Sequence, residues 1–77
     1  MALLISVAPV GAQWAVRSEI SSVDQLFDSG GRAEAAARRL ADQFAEAGHH
    51  AEVEVYLRDG ALAGRHVHRP RGGLYAN

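Results

Sequence analysis

Two stretches of alternating character meet at Asp59-Gly60, and this dipeptide constrains the chain more than any other feature. On its N-terminal side Val53, Val55 and Leu57 alternate with Glu52, Glu54 and Tyr56. A period of two marks a half-buried strand, and Asp-Gly is a preferred two-residue hairpin turn of type I′. Closing the chain on that turn sets Leu57 opposite Leu62, Val55 opposite Gly64, Glu54 opposite Arg65 and Val53 opposite His66. Leu–Leu on one face and Glu–Arg on the other are both favourable cross-strand pairs.

The segment before this hairpin has a different period. Ala33, Ala36, Ala37, Leu40, Ala41, Phe44 and Ala47 recur at spacings of three and four, which predicts a helix over 32–47. Glu34, Arg38, Asp42 and Glu46 fall on the opposite side, with Glu34 and Arg38 in the favourable i, i+4 order. Asp28, Ser29 or Gly31 can cap the start, and Gly48 supplies a left-handed stop. An apolar stripe made mostly of alanine lets the helix backbone sit close to a sheet.

Near the N-terminus, Leu3, Ile5 and Val7 alternate with Leu4, Ser6 and Ala8, and alternation resumes from Gln13 to Ser18. A turn over the four residues 9–12 sets Val7 opposite Trp14 and Ile5 opposite Val16. Trp14 then reads as the largest packing residue of the core. A short third strand is expected near Asp24 to Phe27, with Phe27 closing the core before the helix. The fold class is α+β in the order ββ(β)αββ, with one helix packed on an antiparallel sheet made of two hairpins. Residues 1–69 form the single domain, and 70–77 read as a C-terminal tail.

Seventy-seven residues bury a thin core. With no cysteine there is neither a disulfide nor a thiolate metal site to reinforce it, so self-association is expected, a homodimer first. A single helix covers one face of a sheet. The other face is left with Leu4, Ala15, Tyr56, Ala63 and Val67 among charges, and Leu4, Tyr56, Ala63 and Val67 are the candidate self-association residues. The apolar opening of the chain lacks a charged leader and ends at Pro9, unlike a secretory signal. No stretch approaches the ~18 apolar residues of a membrane span. A cytoplasmic protein with no membrane partner is the expectation.

Read in order, Val7-Ala8-Pro9, Trp14-Ala15-Val16, Phe27, Ala33-Glu34-Ala35 and Arg58-Asp59-Gly60 make a pattern over about residues 5–64. In it the chain resembles a family of very short bacterial and phage proteins described only as a domain of unknown function. It departs from that family in the Gly30-Gly31 before the helix, in lacking a Thr at the cap, and in its histidine-containing end. The resemblance implies the order of elements and carries no activity, cofactor or catalytic residue with it.

Three readings of chemistry are open. The first is a non-enzymatic interaction module: the chain has no nucleophile elbow, phosphate loop or HExxH pattern, and no cofactor is called for. The second uses the uneven charge, since four Arg stand against one Asp from Arg58 onward and four against eight Asp and Glu before it. Arg65, Arg69 and Arg71 would neutralise phosphates and Tyr75 would stack on a base, making a nucleic-acid accessory protein. The third gathers His49, His50, His66 and His68, because the hairpin register sets His68 opposite Ala51 beside the histidine pair. Three such nitrogens would suit zinc or another late transition metal. The plainer alternative leaves His66 and His68 at the wet rim of a core face, and His49 and His50 at a helix C-terminus, where positive charge is favourable.

Overall fold

Strand β1 (Ala2–Val10) reverses through Gly11 and Ala12 into β2 (Gln13–Ser18). Gly11 takes the positive φ of +59° that so short a turn requires. The pairing is Ile5 with Ser18, Val7 with Val16 and Pro9 with Trp14. The expected four-residue turn over 9–12 is therefore corrected to two residues, and the Val7–Trp14 and Ile5–Val16 pairs are each displaced by two. A displacement of two preserves every side chain's face, which is why Ile5, Val7 and Val16 are still buried together. Pro9 is tolerated inside β1 because pairing with the next strand on its other side stops at Val7, leaving an open flank there.

The computed structural model describes residues 2–70. After β2 come β3 (Gln25–Phe27), helix α1 (Gly30–Glu46), β4 (His50–Tyr56) and β5 (Leu62–His68). The α+β class and the order of elements are those expected. The sheet is mixed rather than wholly antiparallel: its five strands run β3-β2-β1-β4-β5, and the central pair β1–β4 is parallel, from Ala2 beside His50 to Val7 beside Val55. The helical crossover makes this possible, since parallel neighbours need a long connection and α1 supplies it.

Ser29 caps α1, its Oγ accepting from the Arg32 amide at 3.2 Å. At the other end Gly48, at φ +95°, donates to Ala45 C=O, and the His49 amide reaches back to Phe44 C=O at 2.9 Å. These two bonds form a Schellman stop. Ala33, Ala37, Ala41 and Ala45 are the buried line of the helix. The first three lie on Ile5, Val7, Val16, Ala51 and Val53, with Trp14, Phe27, Leu40, Phe44 and Val55 closing the sides. Gly30 lies on the Trp14 ring: a Cβ there would come within 3.1 Å of it.

In the second hairpin Val53–His66, Glu54–Arg65, Val55–Gly64 and Ala51–His68 pair as expected. Above them the register shifts, Tyr56 pairs with Leu62, and the expected Leu57–Leu62 pair does not form. A type I′ turn needs positive φ at both central residues, and among the described residues only glycines have it. Asp59 instead accepts from the Ala61 amide through Oδ1, and Gly60 alone, at φ +88°, turns left-handed while donating to Leu57 C=O. The extra residue is absorbed as a bulge beside Val55 and Tyr56.

Candidate interaction surface

Between the flanking pairs Ala2–His50 and Val10–Gln13, the strand registers order the middle of the uncovered sheet face into three crosswise rows, because directly paired residues point to the same side. The first row is apolar: Leu26, Ala15 and Ala8 are successive partners, and Tyr56 with Leu62 continues it across β4 and β5. The middle row is Asp24, Arg17, Ser6, Glu54 and Arg65, one residue from each strand or its immediate extension. The third sets Glu19 beside Leu4, then Glu52 and Val67.

Each charge in the middle row already has a neighbour. Arg17 donates twice to Asp24, from Nε at 3.0 Å and from a terminal nitrogen at 2.8 Å. That fork holds the Asp24 carboxyl below its ordinary range and the Arg17 guanidinium above its own. Arg65 reaches Glu52 at 3.0 Å and Glu54 at 3.4 Å. The Tyr56 hydroxyl donates to Glu54, and this bond, more than Arg65, keeps the Glu54 carboxyl low. The same bond raises the Tyr56 phenol, since losing its proton would set two negative charges together.

Of the four candidate self-association residues, Leu4 is 37% and Val67 58% exposed, Ala63 is exposed at the bulge, and Tyr56 is half-buried beside Glu54. A hollow of about 260 Å³ opens next to Leu4, between Ser6, Arg17, Ser21 and Asp24. The sheet has two edges. β3 is only three residues long, and β5 ends in Arg69-Pro70 with its bulge at the start, features that discourage edge-to-edge pairing.

The histidines separate into two kinds. His66 and His68 turn to the helix side, where His66 Nε2 meets Glu34 Oε2 at 3.1 Å and His68 Nδ1 meets Asp42 Oδ1 at 2.9 Å. These bonds tie the last strand to the flank of α1. The pair of histidines is evident in the sequence; their carboxylate partners are signalled there only by the position of Glu34 and Asp42, eight residues apart on one flank of the helix. His49 and His50 are exposed at the helix end. Among the described residues no group of three or more His, Asp or Glu converges on a point that could hold a metal ion. Of the arginines proposed for nucleic acid, Arg65 is engaged by Glu52 and Glu54, Arg69 is exposed, and Arg71 and Tyr75 lie outside the described residues.

No protein-family model, curated protein or solved structure matches the chain. Among the described residues no helix is long and apolar enough to cross a membrane.

Proposed function

We propose that this protein is a small, non-enzymatic interaction module that self-associates through its uncovered sheet face. The observation that carries the reading is the apolar row Leu26, Ala15, Ala8, Tyr56 and Leu62, open at Leu26 and Leu62 and closed at Ala15, flanked by exposed Leu4 and Val67, on a face that no element among the described residues covers. The thin core supports it. Among the described residues Ile5, Val7 and Val53 are the largest fully buried side chains, and the buried residues of the helix are all alanine. Covering a second sheet face would add the apolar burial that so small a domain lacks.

Sedimentation velocity of the untagged protein over a range of concentrations tests the reading. A reversible dimer is expected, and Val67→Glu should shift it to monomer with its circular dichroism spectrum unchanged. A protein that stays monomeric at every concentration would rule the reading out.

A further inference from the structure

Resting on that reading, we infer that the second copy docks face to face about a two-fold axis running along β1 and passing by Ser6. The middle row carries the argument. From β3 to β5 it runs Asp24, Arg17, Ser6, Glu54, Arg65, or negative, positive, neutral, negative, positive. Reflected through its centre, every charge changes sign.

A two-fold axis parallel to β1, lying between two stacked sheets, exchanges β2 with β4 and β3 with β5. Arg17 then lies over Glu54 of the partner subunit, Asp24 over Arg65 of the partner subunit, and the two Ser6 hydroxyls meet on the axis. An axis laid across the strands would instead stack each strand on its own copy, setting Arg17 on Arg17 and Glu54 on Glu54. Like charges opposed in an interface cost several kcal/mol, so the row selects the first arrangement and rejects the second.

The apolar row agrees. The same operation stacks Ala8 on Ala8, sets Tyr56 over the small Ala15, and sets Leu26 over Leu62. Large side chains thereby meet small ones or fellow leucines. Val67, the most exposed apolar residue of this face at 58%, comes to stand over the hollow beside Leu4. The one like-charged match is Glu19 opposite Glu52, at the margin, where Arg65 already holds Glu52 at 3.0 Å.

Size is adequate. Five strands at about 4.8 Å spacing and six residues at about 3.3 Å present roughly 500 Å² in projection, before side-chain relief is counted. A standard interface uses about 800 Å² of accessible surface per partner. In this arrangement the apolar rows hold the copies together, and the charges, each already paired within its own chain, set the orientation.

Two charge-reversed chains test the axis. Arg17→Glu opposes two glutamates at both symmetry-related contacts, and Glu54→Arg opposes two arginines. Each alone should self-associate roughly 100-fold more weakly than the parent. Mixed in equal amounts they should form a heterodimer, because both contacts are then complementary, and native mass spectrometry separates that species by mass. Circular dichroism confirms that each variant is folded.

A second measurement does not depend on reversing charge. The chain has no cysteine, so Ser6→Cys gives one thiol, and on the axis two such thiols lie within reach of a short bismaleimide across the ~10 Å between sheets. Val67→Cys lies two strands off the axis and about 20 Å from its copy, and should not crosslink. A monomeric parent protein would overturn both the self-association and the axis. A dimer would leave self-association standing and overturn the axis if both charge variants dimerise undiminished, if the folded variants show no preference for each other, or if Val67→Cys crosslinks as readily as Ser6→Cys.

Discussion

Beneath the helix, Ile5, Val7, Val16, Ala51 and Val53 meet Ala33, Ala37 and Ala41 with at most 4% of any of them exposed. Across the same strands, one residue away in each case, Leu4, Ser6, Arg17, Glu52 and Glu54 are open or half-open. The covered side is small and uniform, so its contribution comes from close approach of backbones. The uncovered side is ordered by charge and by alternation of large with small. One backbone thus carries a face specified by volume and a face specified by pattern, and the two should respond differently to substitution.

The largest difference is expected between neighbours. Ile5→Ala removes fully buried methylene groups and should cost about 2–5 kcal/mol, whereas Leu4→Ala, beside it on the open side, should cost far less in the monomer. Urea unfolding of both variants measures the contrast, and equal losses would erase the distinction between faces. Smaller is the effect of overfilling: Ala37→Leu, under a helix that lies directly on the sheet, should cost about 1–3 kcal/mol, while the exposed Ala35→Leu should lie within about 0.5 kcal/mol of the parent.

A finer comparison lies within one dipeptide. Gly30→Ala places a Cβ within 3.1 Å of the Trp14 ring, whereas Gly31→Ala meets nothing within 4 Å. The first should lower stability by about 1 kcal/mol and perturb Trp14 fluorescence; the second should raise it by about 0.4–1 kcal/mol by stiffening the unfolded chain. Matching effects at both positions would remove Trp14 as the reason for Gly30.

The smallest expected effect belongs to the open face and follows pH. The Glu54 carboxyl is held below its ordinary value of 4.5 in the fold, so its contribution is complete above that value and fades as pH falls through the lowered one. Tyr56 is held above its ordinary 10.0, so its contribution is complete below 10.0 and fades as pH rises through the raised value. Tyr56→Phe removes the bond responsible for both. A series of thermal midpoints across pH should lose its alkaline fall and soften its acid fall in that variant.

Much of the covered face was legible because alternation and helical period report which side a residue takes. The second hairpin shows this from Ala51–His68 to Val55–Gly64, and the first keeps its faces despite a displacement of two. The top of the second hairpin was not legible, because Asp-Gly suits more than one turn. Here the Asp59 side chain bonds the Ala61 amide, and the loop lengthens into a bulge. Strand direction was hidden as well: the alternation of Ile5 and Val7 with Leu4 and Ser6 fits a parallel or an antiparallel neighbour equally. The middle charged row depends on that missing knowledge. Asp24, Arg17, Ser6, Glu54 and Arg65 come from five separate places in the chain, and only the order β3-β2-β1-β4-β5 brings them into line.

The parallel seam between β1 and β4 also governs when this protein can become itself. Both hairpins close between near neighbours, but Ala2 waits for His50 and Val7 for Val55. During synthesis, the first hairpin leaves the ribosome with one flank of its central strand unmatched, and it stays so until the helix and β4 have emerged. Loop closure over such a separation costs entropy before any contact repays it. Folding speed should therefore be set by this one junction, and a nascent chain halted before residue 56 would present a bare apolar strand to whatever is nearby.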